Sequence, residues 1–68
     1  MSQRANINFA LQPLGLEISG SGKSKAFFFV ESESQMQLDA PPVRVSNMMS
    51  LTIGEWVAEA NLAIEHDA

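Results

Sequence analysis

The run Phe27-Phe28-Phe29-Val30 limits the fold of this 68-residue chain more than any other feature. Alternate residues of a β-strand point to opposite faces of its sheet, so a strand through this run is apolar on both faces. The rest of the chain predicts a single helix, which can cover only one face. The other face keeps either Phe28 or the pair Phe27 and Phe29. The sequence therefore requires a second covering, from another copy, a partner protein or a curled sheet.

A polar segment before this run predicts a β-hairpin. Residues 19–24 are rich in glycine and serine, which favour turns. Leu14, Leu16 and Ile18 alternate with other residues ahead of the turn, and residues 25–31 form the second strand. Gly22-Lys23-Ser24 is similar to the end of a phosphate-binding loop. That motif needs a glycine where this chain has Glu17, and a helix where it has a strand, so we interpret the segment as a hairpin turn.

Three more segments alternate between apolar and polar residues and predict short strands: residues 6–12, 35–39 and 43–46. Their inward side chains would be those of Ile7, Phe9, Leu11, Met36, Leu38, Val43 and Val45. Pro13 lacks an amide hydrogen and predicts a sheet edge or a bulge next to the first of these strands. Pro41-Pro42 predicts an extended kink ahead of the last.

A helix is predicted after Thr52. Thr52 and Glu55 have the spacing of a capping box, and Leu51 and Trp56 that of a hydrophobic staple. A turn of about 100° per residue gives the helix an apolar face and a polar face. The apolar face holds Ile53, Trp56, Val57, Ala60, Ala63 and Ile64. We therefore expect one small α+β domain over residues 1–68, with three or four antiparallel strands and one C-terminal amphipathic helix packed on them.

The acidic surplus lies entirely in this helical segment. The formal net charge is −4, yet residues 1–44 are balanced and all excess charge falls in residues 45–68. Binding to nucleic acid relies on a basic stripe, which the sequence lacks, so we expect no direct nucleic-acid partner. The surplus serves either solubility or attraction to a basic protein surface. Composition alone favours solubility.

The sequence offers little for catalysis. There is no cysteine, which excludes disulfides and cysteine-based zinc sites, and His66 is the only histidine. A general base needs an orienting partner, whereas a histidine at a helix C-terminus is favoured by the helix dipole alone. We expect no catalytic residue, cofactor or metal. A small enzyme using His66 and loose carboxylates is the weakest of three hypotheses.

The favoured hypothesis is a small acidic protein-binding module that occupies a surface of a larger basic protein. Inhibitors, antitoxins and phage accessory proteins are of this type. The predicted contact residues are Glu55, Glu59, Leu62, Glu65 and Phe28. The alternative is a structural or assembly subunit that self-associates through its aromatic sheet face. We expect the chain either to form a homo-oligomer, most simply a dimer, or to be ordered by a larger protein, with the acidic helix face left outside any self-contact.

Membrane association is not expected from the sequence. The longest apolar run, residues 26–30, is far too short to cross a bilayer, and the first residues do not have the pattern of a signal peptide. We therefore expect a cytoplasmic protein with no membrane partner.

Overall fold

A computed structural model describes residues 2–68 and shows two helices and a two-stranded antiparallel sheet. The elements follow in the order α1 (Gln3–Leu11), β1 (Leu16–Ser21), β2 (Ala26–Glu31) and α2 (Ile53–Asp67). Short 3₁₀ turns occupy Gln12–Leu14 and Met48–Ser50. The α+β class is confirmed. The predicted three or four strands and single helix are wrong, because the described residues form two of each.

Helix α1 stands where the sequence predicted the first strand. Ile7 and Leu11 are four residues apart, so they share a face in a helix as well as in a strand, and both are fully buried. In a strand Phe9 would share their face, whereas in a helix it lies on the opposite side. Phe9 is 70% exposed on the far side of the helix, so its predicted inward position is wrong. Ser2 caps the N-terminus by accepting a hydrogen bond from the Ala5 amide. Pro13 lies in the 3₁₀ turn after the helix and not in a bulge.

The predicted hairpin is confirmed. Leu16 pairs with Glu31 at one end and Ser21 with Ala26 at the other. Four residues, 22–25, connect the strands, and Lys25 takes a positive φ of 53° there. Gly20 has φ 103°, and its α-carbon faces the Ala26 carbonyl so closely that a side chain would overlap it. Glycine is therefore required at this position of β1.

The segments 35–39 and 43–46, which were predicted as strands, make only single bridges to the outer edge of β2. Gln37 bridges Val30, and Val43 bridges Phe27. Pro41-Pro42 lies between the two bridges, and proline has no amide to continue a ladder. Leu38 is buried as predicted, but Met36 is 66% exposed, so its predicted inward position is wrong. Val43 and Val45 are partly buried against the core.

Helix α2 follows the prediction closely. Thr52 Oγ1 accepts from the Glu55 amide at 3.1 Å, and Glu55 Oε1 accepts from the Thr52 amide at 2.9 Å. Leu51, before the cap, packs against the core as expected of a staple. On the predicted apolar face Trp56, Ala60 and Ala63 are buried, whereas Ile64 lies at its margin and is 37% exposed.

The core lies between the two helices and one face of the hairpin, called here the inner face. That face carries Leu16, Ile18, Gly20, Phe27 and Phe29. The Trp56 ring packs edge-on against Phe27 and Phe29, with centroid distances of 5.5 and 6.4 Å. Its Nε1 donates to the Met48 carbonyl at 2.8 Å, so the indole is buried without an unpaired donor.

Helix α1 also covers the outer edge of β1. Asn8 Oδ1 accepts from the Ile18 amide at 2.8 Å, and the Arg4 guanidinium donates to the carbonyls of Ile18 and Gly20 at 3.0 and 2.8 Å. These side chains occupy backbone groups that a further strand would otherwise pair with. Helix α1 thus covers the edge of β1, beside which the sequence predicted an additional strand.

Candidate functional site

The predicted acidic contact residues lie on the side of α2 away from the core. Glu55 and Glu65 are exposed, Glu59 is half-buried, and Leu62 is 51% exposed. Glu55 differs from the other glutamates because its carboxylate accepts a hydrogen bond from the Thr52 amide as part of the capping box. It is therefore engaged within its own helix, while Glu59 and Leu62 face a neighbouring segment.

A shallow groove of about 170 Å³ separates the C-terminal half of α2 from the loop at Pro41-Pro42. Glu59, Leu62 and His66 form the helical wall, and both prolines, which are exposed, form the opposite wall. Phe29, Ala40, Val43 and Ala63 complete the lining. The groove thus joins an apolar floor to one carboxylate on its wall. This combination suits the aliphatic stem and charged end of a lysine or arginine side chain.

The loop opposite α2 is tied to the helix end. The Asp67 carboxylate accepts a hydrogen bond from the Asp39 amide at 2.7 Å. This contact lies just before Ala40 and the two prolines, so it anchors the start of the loop that forms the groove wall. The groove depends on a contact between residues 28 positions apart in sequence.

Phe28 does not join this groove. It lies on the opposite, outer face of the hairpin, where Glu17, Ser19, Ser21, Ala26 and Val30 are its companions. Phe28 is half-buried, and of this face only Val30 is buried, at 8% exposure. The five predicted contact residues therefore belong to two surfaces. Four of them are on α2, and Phe28 is alone on the sheet.

A larger, open cleft of about 780 Å³ lies at the end of the hairpin opposite its turn. Its charged residues are Glu17, Glu31 and Glu33, and Asn8 and Gln12 of α1 and its following turn border it. Ser34 donates to the Glu31 carboxylate at 2.7 Å, which fixes that side chain. Among residues 2–68 no group of three or more histidines, cysteines, aspartates or glutamates is close enough to hold a metal ion.

The groove residues Pro41, Pro42 and His66 were not predicted as a site. The sequence indicated a kink for the prolines and a helix-end role for the histidine. No local pattern could join them, because the loop and α2 meet through contacts between residues distant in sequence: the packing around Phe29 and Ala63 and the hydrogen bond from Asp39 to Asp67. The sequence did place Glu59 and Leu62 on the polar face of α2, because that position follows from helical periodicity.

The chain matches no known protein family, no curated protein and no solved structure. None of the described helices has the length and apolar character needed to cross a membrane. The candidate site is therefore defined by its geometry alone.

Proposed function

We propose that this chain is a small acidic protein-binding module that occupies a surface of a larger, basic partner protein. Inhibitors, antitoxins and phage accessory proteins act in this way. The observation that carries the proposal is the groove beside α2, where Leu62 is half-exposed next to Glu59 and faces Pro41-Pro42. A basic side chain of the partner would lay its stem on the apolar floor and its charge against Glu59.

Charge distribution supports this choice of partner. Glu55, Glu59, Glu65 and Asp67 are the charged residues of α2, and the helix has no lysine or arginine. An all-acidic helix attracts a basic surface at long range, and the groove then gives the encounter a fixed contact. We propose no catalytic step, since the groove holds one carboxylate and one exposed histidine and no arranged nucleophile.

The test is affinity capture from the source lysate with matched variants. We expect Leu62→Ser to abolish capture of the partner, and the isosteric Glu59→Gln to weaken it most at low salt. Phe9→Ser is the control for Leu62, since Phe9 is an exposed apolar residue of the other helix, and Glu33→Gln is the control for Glu59. Equal capture by wild type and by both α2 variants would exclude the groove as the contact.

A second candidate function rests on Phe28. A half-buried aromatic ring in the middle of the outer sheet face suits an assembly subunit that self-associates. The two functions are compatible, because the outer sheet face and the α2 groove are separate surfaces.

A further inference from the structure

We propose that the groove beside α2 selects an arginine side chain of the basic partner over a lysine, with the Glu59 carboxylate binding its guanidinium group. The inference rests on the proposed function above and names the chemical group that the partner presents. The size of the groove, the Glu59 carboxylate and the apolar walls each support it.

The groove has the size of one side chain. Its volume is about 170 Å³, whereas pockets for drug-sized ligands begin at about 300 Å³. Its helical wall runs from Glu59 to His66, which are seven residues apart and therefore about 10 Å apart along the helix axis. That length accommodates one extended side chain, and arginine is the longest of the basic side chains. The occupant is thus a single residue of the partner.

The Glu59 carboxylate is open to a ligand. Glu55 and Asp67 each accept a hydrogen bond from a backbone amide, whereas among residues 2–68 no hydrogen-bond donor or basic side chain engages Glu59. Glu59 is also half-buried, so water reaches it from one side only. A partly desolvated carboxylate gains most from charge-assisted hydrogen bonds, and a guanidinium can donate two of them in parallel.

The apolar walls favour a guanidinium over an ammonium group. Leu62 and the two prolines, Pro41 and Pro42, form these walls, and none of the residues that line the groove is a lysine or an arginine. An ammonium is strongly hydrated and loses part of that hydration beside apolar walls. A guanidinium is planar and more weakly hydrated, so it can lie against them. Arginine therefore keeps more of its favourable contact with Glu59 than lysine does.

An NMR titration of the ¹⁵N-labelled full chain with two peptides, tetra-arginine and tetra-lysine, tests this selection. Because the peptides carry the same charge, their attraction to the acidic helix is equal and any difference reports the head group. We expect saturable shifts at Leu62, Ala63 and His66, and a dissociation constant about fivefold or more lower for the arginine peptide. Equal dissociation constants overturn the proposal, and so do shifts confined to the larger cleft beside Glu17.

Two isosteric variants of equal net charge assign the selection to one carboxylate. Glu59→Gln should abolish the difference between the two peptides. Glu65→Gln neutralises an exposed carboxylate of α2 outside the groove, so it should weaken both peptides equally and keep their ratio. A preference for arginine that persists in Glu59→Gln overturns the proposal. The wild-type comparison needs no variant, so it decides the selection by itself.

The selection and the proposed function fail separately. Equal affinities for the two peptides, together with loss of partner capture by Leu62→Ser, refute the choice of arginine and leave the binding function intact. A clear preference for arginine, together with partner capture that survives both α2 variants of the capture experiment, does the reverse.

Discussion

At the residue scale, single atoms decide how the hairpin closes. Gly20 is the clearest case, because an ideal Cβ there would overlap the carbonyl oxygen of Ala26 and lie 3.0 Å from the Phe27 Cα. Its φ of 103° is also a conformation that other residues rarely adopt. Steric overlap and backbone strain therefore both disfavour a side chain at this position.

We expect Gly20→Ala to destabilise the fold by about 2–3 kcal/mol, measured by urea unfolding. Gly54 provides a matched control, since it lies in the first turn of α2 with nothing nearer to an added Cβ than Thr52 Oγ1 at 4.0 Å. Gly54→Ala should stabilise the protein by up to about 1 kcal/mol, because alanine favours helix more than glycine does. Equal losses for both variants would contradict the register of the hairpin.

At the scale of elements, each helix is fixed by a different kind of contact. Helix α2 is defined by its cap and by Trp56, which fills the centre of the core. Helix α1 is short, carries no acidic residue in its first turn, and is held by Ile7, Leu11 and two edge contacts. A nine-residue helix has little stability by itself in water, so tertiary contacts maintain α1.

Substitutions in the cap and in the buried face of α2 should lower the free energy of unfolding by different amounts. Thr52→Ala leaves the Glu55 amide to water and should destabilise by about 1 kcal/mol. Trp56→Ala removes a fully buried ring and should destabilise by about 3–5 kcal/mol, a large part of the free energy of unfolding of a domain of this size. Thermal unfolding followed by circular dichroism compares them, and similar losses would argue against the central position of Trp56.

The edge contact of α1 gives a separate prediction. Asn8→Ala leaves the partly buried Ile18 amide without its acceptor and should cost about 1–3 kcal/mol. Asn6→Ala, on the exposed side of the same helix, should be neutral or slightly stabilising. Amide hydrogen exchange at Ile18 should accelerate in the first variant only. Unchanged protection there would mean that α1 does not pair with the edge of β1.

At the scale of the whole molecule, a thin core depends on residues from every element. The fully buried large side chains come from α1, β2 and α2, and they are Ile7, Leu11, Phe27 and Trp56. Strand β1 adds Leu16 and Ile18, which are 4% and 3% exposed. A chain of this size buries only about 60% of the surface that its unfolded form exposes, less than a larger domain does, so no element is dispensable.

We therefore expect the fragment 13–68, which lacks α1, to lose its cooperative unfolding transition. It loses Ile7 and Leu11 from the core and exposes the edge of β1, which favours aggregation. The full-length Phe9→Ser variant is the control, because it alters α1 only on its exposed side. A fragment that unfolds as cooperatively as the whole chain would show that α1 is peripheral.

Elements with local signals could be predicted from the sequence. The capping box from Thr52 to Glu55, the period of α2 and the turn of the hairpin each follow from neighbouring residues, and the structure has all three. The sequence also placed Phe28 and the Phe27/Phe29 pair on opposite faces, because strand periodicity requires it. Leu62 and Glu59 were found on an exposed helix face by the same kind of argument.

The remaining features depend on contacts between residues that are distant in sequence. Ile7 and Leu11 fit both a strand and a helix, and the choice was made by the edge of β1, whose amide and carbonyls pair with Asn8 and Arg4. The loop of Pro41-Pro42 became one wall of a groove because α2 packs beside it. In both cases the deciding partner is distant in sequence, and a local pattern carries no information about a contact formed only when the chain has folded.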